Sequence, residues 1–316
     1  MHRKGYNIKT NLTKKNLIVL LGATASGKTG MAARLASETD GEIISADSRQ
    51  VYRGMDLGTG KDLDQYVVNG RRIAFHLIDI IEPSSEFNVY DYKKKFHDVF
   101  KQIRTRGNLP ILAGGTGLYL EAVLMDYQMP QAIFDSALRE ALSQKTMSEL
   151  QEILNAYRPQ LHNKTDLEDR ERLIRRIEIE KVKHSRHVQE PVHMPVNAAV
   201  FGIRRERSVL RDRIALRLQE RIDQGMIEEV ASLHAGGLSW ERLESFGLEY
   251  RFVARFLQNL ITKDEMSKRL TIAIGQFAKR QETWFRRMEK RGIEINWVDG
   301  DDYSGLSAQV QKAMHE

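Results

Sequence analysis

The chain has no cysteine among its 316 residues, which excludes disulfides, thiolate nucleophiles and cysteine-ligated zinc and suits a reducing cytosol. Long apolar runs are also missing. The early run Leu17 to Leu21 is far too short for a signal sequence or a membrane span, so a soluble, cytoplasmic protein is expected. No internal repeat or low-complexity tract stands out. What is present is an ordinary globular composition, 41% hydrophobic and 29% charged. Its net charge of +6 and isoelectric point near 9.3 lean towards a polyanionic partner.

Short apolar runs alternate with amphipathic stretches at Leu17–Leu21, Glu42–Ser45, Ile73–Ile81, Leu109–Ala113, Asn197–Ile203 and Ile293–Val298. That alternation predicts an α/β protein with a parallel sheet flanked by helices. Over residues 121–195 the pattern is instead helical and strongly charged, which reads as an inserted helical subdomain. Glu190 to Pro195, with prolines at 191 and 195, marks the hinge back. The expected division is a core of 14–120 with 196–300, the insertion at 121–195, and a terminal helix over 301–316.

The strongest local signal is Gly22 Ala23 Thr24 Ala25 Ser26 Gly27 Lys28 Thr29, which fits G-x-x-x-x-G-K-[ST] between a strand and a helix. Such a P-loop turns backbone N–H groups onto phosphate oxygens, adds the Lys28 charge, and places the Thr29 hydroxyl to coordinate Mg2+. The motif leaves open whether the phosphates belong to a nucleotide or to another diphosphate ester. Asp47, at the end of the second run, is placed either to take a proton or hold a metal, or only to turn the chain. Gly114 Gly115 Thr116 Gly117, after the fourth run, is a second anion site or a structural turn. Asp79 is a metal-associated acid or a plain strand-end residue.

Two stretches carry arginine rows. Arg172, Arg175 and Arg176 share one helical face that could grip phosphates or stack on bases, or, with Asp169, Glu171, Glu178 and Glu180 interleaved, form a solvated, salt-bridged helix. Leu210, Ile214, Leu218 and Ile222 form a buried stripe with Arg213, Arg217 and Arg221 beside it, where a guanidinium could meet phosphate or form an ordinary rim. Lys279, Arg280, Arg286 and Arg287 extend the basic character around Trp284, itself expected in the core.

Taken in order, these motifs resemble the tRNA dimethylallyltransferase family, the isopentenyl-diphosphate:tRNA transferases, in its bacterial form. The resemblance spans about Leu17 to Arg287 and rests on Gly22–Thr29, Ser45–Thr59, Gly114–Tyr119, the Arg213 and Arg217 pair, and Gln276–Gln281. The sequence departs from the family's usual pattern at Gly60 Lys61 Asp62, where Ala and Pro usually flank the lysine. Further departures are a longer spacing from His162 to Arg172, Arg176 Ile177 for Ala-Leu, Gly247 Leu248 Glu249 Tyr250 for a tighter Gly-Tyr, and Ile274 Gly275 for Thr-Arg.

The resemblance implies a P-loop NTPase-like fold in which the loop holds the diphosphate of dimethylallyl diphosphate in place of ATP. Asp47 would receive a proton from the N6 amine of an extruded adenine. Thr24, Lys28, Thr29, Arg217 and Mg2+ would stabilise the leaving diphosphate, and Thr116 would hold substrate near the reacting centre. Asp47, Ser48, Arg49, Gln50 and Thr116 would contact the tRNA base. Arg139 and Glu171, Arg172, Leu173, Ile174 and Arg175 would touch the anticodon arm. A monomer is expected. The rival expectations are a P-loop kinase of nucleosides or small molecules, an adenylate prenyltransferase, and a nucleotide-switched RNA-binding protein.

Overall fold

The computed structural model describes residues 14–127, 136–157, 169–185 and 193–315. Glu190, Pro191 and Val192 of the expected hinge, and His162, lie outside the described residues. The chain falls into two compact units, Met1–Asp126 with Met194–Glu316, and Tyr127–His193.

The strands of the first unit are β1 (Leu17–Gly22), β2 (Gly41–Ala46), β3 (Val67–Val68), β4 (Arg71–Arg72), β5 (Phe75–His76), β6 (Leu109–Gly114), β7 (Ala198–Arg204) and β8 (Asn296–Asp299). Six of them form one sheet in the order β5-β2-β6-β1-β7-β8, with every neighbouring pair parallel. Leu20 lies opposite Ala113 on one side and Phe201 on the other. Because successive side chains point to opposite faces, Ile18 and Leu20 join Ile43, Ile111 and Phe201 beneath helices Lys28–Glu38 and Tyr303–His315. Leu17, Val19 and Leu21 join Ile44, Leu112 and Val200 beneath helices Val89–Thr105 and Gly117–Leu124 and the end of Lys263–Lys290. Burial on both faces is why these strands read as unbroken apolar runs. The terminal helix is part of this core, through Leu306 and Val310.

Helices Arg207–Asp223, Met226–Ala235, Leu248–Leu257 and Lys263–Lys290 share a third core with Ala23 and Ala25 of the turn after β1. The stripe Leu210, Ile214, Leu218 and Ile222 is buried there, as its four-residue step requires. The helix Lys263–Lys290 opens on a capping box between Thr262 and Glu265.

The run Ile73–Ile81 contributes only two strand residues. Leu77 and Asp79 take left-handed backbone, and the amides of Asp79 and Ile80 turn to the carbonyls of Gln50 and Val51 at 3.1 and 2.8 Å. The chain leaves the sheet there to support the loop after β2. The separate β3–β4 hairpin closes on Asn69 and Gly70, both at positive φ, the residue pair that a two-residue hairpin turn favours.

The second unit comprises helices Ser136–Ser143, Met147–Tyr157 and Arg170–Ser185. They enclose Leu142, Leu150, Leu154, Leu173, Ile174 and Ile177. Leu173 and Ile174, expected among the tRNA contacts, instead hold this small core, because their spacing with Ile177 puts them on its inner face. Glu171, Arg172 and Arg175 of the same segment remain at least partly exposed. Arg139 and Arg175 both pair with the buried Glu178, at 3.0 and 3.1 Å. Among the described residues no helix is long and apolar enough to cross a membrane.

Candidate active site

The C-terminal ends of β1, β2 and β6 open into a cleft of about 1150 Å3 within the first unit. It is lined by the P-loop, Asp47 to Gln50, residues 56 to 66, residues 113 to 118, and parts of three helices. Ligands of open α/β sheets sit in this position.

The P-loop runs from β1 into helix Lys28–Glu38. Gly27 is the residue before that helix, at φ 94, and no side chain caps the helix, an arrangement that suits an anion at its first amides. The Lys28 ammonium reaches the Ala23 carbonyl at 3.3 Å. Burial, with the Arg217 charge adding to it, pulls the Lys28 pKa down to about 8, against opposing pulls from Asp47 and Asp62. A bound diphosphate would supply the counter-charge this lysine lacks. Arg213 and Arg205 buttress the loop from behind, donating to the carbonyls of Ala25 and Ser26 at 2.9 and 2.8 Å. Arg205 is in turn held by Gly300 and Asp301, just before the terminal helix.

Asp47 follows β2 and borders the cleft. Its Oδ1 accepts from the Arg49 amide at 2.8 Å and so turns the chain, while Oδ2 has no hydrogen-bond partner among the described residues and the side chain lines the cleft. Gln50 has both ends engaged, accepting from Ser45 Oγ at 2.9 Å and donating to the Gly60 carbonyl at 3.0 Å.

The Gly114–Gly117 loop lines the cleft and is tied to the neighbouring strand end. The Thr116 amide donates to the Ala46 carbonyl at 3.1 Å, and the Thr116 hydroxyl accepts from the Ser48 amide at 3.0 Å. That hydroxyl keeps its own proton to donate into the cleft. A side chain at Gly115 would collide with Gln281, which explains the glycine. Gln281 is the residue the sequence reading undervalued. Its Oε1 accepts from the Thr24 amide at 2.8 Å and its Nε2 donates to the Gly115 carbonyl at 2.9 Å, so one buried amide ties the P-loop to the loop after β6.

Trp284 is half-buried and borders the cleft, while its neighbour Phe285 takes the core position. The indole is set by Glu121, fully buried, which accepts from Trp284 Nε1 at 3.0 Å and from Arg287 and Arg291 at 2.9 and 2.7 Å. Asp79 is not a cleft acid. It pairs with Lys61, a fully buried lysine that also donates to the Tyr52 carbonyl at 2.8 Å and to Asp56 at 2.6 Å.

Arg217 reaches the cleft and is bonded to Asp62, with burial and the neighbouring Arg221 lowering its pKa. Glu249 also borders the cleft, its carboxyl pushed up by burial although Arg221 and Arg217 pull it down.

A P-loop at the switch of a parallel sheet, with an acid, a hydroxyl and arginines facing the same cleft, defines an α/β enzyme acting on a phosphate ester. The sequence matches the IPP transferase family over residues 50–288, and the chain belongs to that family. It is 55% identical to tRNA dimethylallyltransferase 1 of Syntrophus aciditrophicus, over 94% of this chain and 98% of that protein. It is 51% identical to tRNA dimethylallyltransferase 1 of Geotalea uraniireducens, over 90% and 93%. Its fold is similar to the crystal structure of the tRNA isopentenylpyrophosphate transferase of Bacillus halodurans, with a TM-score of 0.69, 30% identity, and coverage of 96% and 97%.

Proposed function

We propose that this protein transfers the dimethylallyl group of dimethylallyl diphosphate to the N6 amine of the adenosine beside the anticodon, in tRNAs that read codons beginning with U. The observation that carries the reading is the meeting, in one cleft, of a P-loop with Lys28, the half-engaged carboxylate of Asp47, and Arg217. The N6 nitrogen attacks the first carbon of the allyl group, the bond from that carbon to the diphosphate oxygen breaks, and the N6 proton passes to Asp47 Oδ2. The P-loop amides, Lys28, Thr24 and Arg217 take the charge that collects on the departing diphosphate. Thr116, its hydroxyl oriented by Ser48, donates to substrate beside the reacting centre. Ser48 and Arg49 line the cleft and are proposed to contact the base, whereas Gln50 holds the loop.

Magnesium is the proposed cofactor. Thr29 lines the cleft, and its single hydroxyl is a fitting protein share for an ion that keeps phosphate oxygens and waters as its other ligands. Bound there, it would offset diphosphate charge. Arg139, Glu171, Arg172 and Arg175 of the second unit are proposed to touch the anticodon arm. The protein is proposed to act in the cytoplasm as a monomer.

The test is transfer of labelled dimethylallyl from its diphosphate to undermodified tRNA, run beside free adenylate. Label entering tRNA alone supports the proposal. Label entering adenylate alone points to an adenylate prenyltransferase, and ATP-dependent phosphorylation of a nucleoside without transfer points to a kinase; either result overturns it.

A further inference from the structure

Arg217 and Arg221 stand one turn apart on helix Arg207–Asp223 and converge on one carboxylate. Asp62 accepts from Arg217 through Oδ2 and from Arg221 through Oδ1 at 3.3 Å, and only 20% of its side chain is exposed. A pair of guanidinium groups around two oxygens is the arrangement that phosphate recognition uses. The cationic wall that a diphosphate would meet therefore already holds an anion supplied by the chain.

The loop is built to keep that anion in place. Glu229 accepts from the successive amides of Asp56, Leu57 and Gly58 at 2.7, 2.7 and 3.0 Å, and the buried Lys61 pins the next turn. Asp62 itself sits in left-handed backbone at φ 45, which aspartate tolerates better than most residues. Gly60, at φ 63, lies directly under the Arg221 guanidinium, so that a Cβ there would collide with it. A residue with a side chain at 60 would push Arg221 off Asp62, so Gly60 and Asp62 act together.

We propose that Asp62 is a resident counter-anion for the Arg217–Arg221 pair, which diphosphate must displace, and that it thereby sets the affinity of the cleft for diphosphate. This rests on the reading that Arg217 receives the diphosphate. The chemistry supplies a use for it. Cleavage turns a diphosphate ester into free diphosphate, which can carry one more negative charge, so an unopposed arginine pair would hold the product more tightly than the substrate. A fixed carboxylate competing for the same guanidinium groups speeds product departure.

The experiment is calorimetric titration of the full chain with inorganic diphosphate and Mg2+, comparing the parent with Asp62→Asn and Asp62→Glu, alongside product inhibition by diphosphate. The proposal expects Asp62→Asn to bind diphosphate at least tenfold more tightly, with the inhibition constant falling in step, and Asp62→Glu to stay within threefold of the parent. Asp62→Asn binding equally or more weakly, or Asp62→Glu tightening as much as Asp62→Asn, overturns it. A parent that binds no diphosphate at all would instead remove the reading of the cleft on which it rests. Thermal melting of each variant identifies any that is unfolded; should Asp62→Asn not fold, Asp62→Ser takes its place, with the same tenfold tightening expected and equal or weaker binding overturning the proposal.

Discussion

Replacing Gln281 by leucine removes one side chain that joins two loops separated by more than ninety positions, and its cost follows from the two bonds lost. Gln281 is 7% exposed, and leucine fills nearly the same volume, so packing changes little. The Thr24 amide loses its acceptor and the Gly115 carbonyl loses its donor. Each buried polar group left unpaired costs about 1–3 kcal/mol. Thr24 borders the cleft, where water reaches its amide, so the total falls to about 2–4 kcal/mol. Urea unfolding reads that total. Hydrogen exchange of a peptide covering residues 22 to 29 reads the local share: losing about 1–2 kcal/mol of protection speeds exchange roughly 5- to 30-fold. On the proposed role of the loop in holding the leaving group, transfer to tRNA falls at least tenfold as well. Stability within about 0.5 kcal/mol of the parent, with exchange unchanged, would refute the bridge as a positioning device.

Asp47→Asn keeps an Oδ1 for the Arg49 amide and so keeps the turn, but it removes the proposed base; turnover should fall by roughly 10²- to 10⁴-fold with tRNA affinity retained, measured by single-turnover transfer and filter binding. The Lys28 pKa near 8 predicts a basic limb. Above that pH the free enzyme has lost the ammonium proton, and diphosphate binding must restore it, so affinity drops with rising pH and calorimetry in two buffers shows proton uptake. Arg172→Ala, at an exposed arginine whose nearest partner is Asp169 at 3.8 Å, should weaken tRNA binding and lower its salt slope by about one, while leaving diphosphate binding unchanged. An unchanged salt slope would remove Arg172 from the RNA contact.

The sheet and its phosphate turn were readable because each depends on residues close in sequence. Burial on both faces makes Leu17 to Leu21 an unbroken apolar run, and the G-x-x-x-x-G-K-T spacing is set by a single strand-to-helix turn. Asp47 and Thr116 could be placed because strand ends in a parallel sheet gather at one rim. The Asn69–Gly70 turn was a local signal that passed unread. Leu173 and Ile174 were assigned to RNA by resemblance, although their spacing with Ile177 already pointed inward.

The bonds that hold the cleft together had no such local signature, because each joins residues that only the fold brings together. Thr24 meets Gln281 across 257 positions, and Asp62 meets Arg217 across 155. From sequence, Gln281 is one polar residue on a long helix, and Asp62 is one acid in a loop. A helix that lays Gln281 against the P-loop and Trp284 and Phe277 along the same cleft joins the P-loop end of the cleft to its far wall. A shift of that helix on RNA binding would therefore be felt at the Thr24 amide. If so, Gln281→Leu should lose more kcat than diphosphate affinity, because it cuts that coupling while leaving Lys28 and the helix amides in place. Equal losses in both would reduce Gln281 to a brace for the P-loop alone.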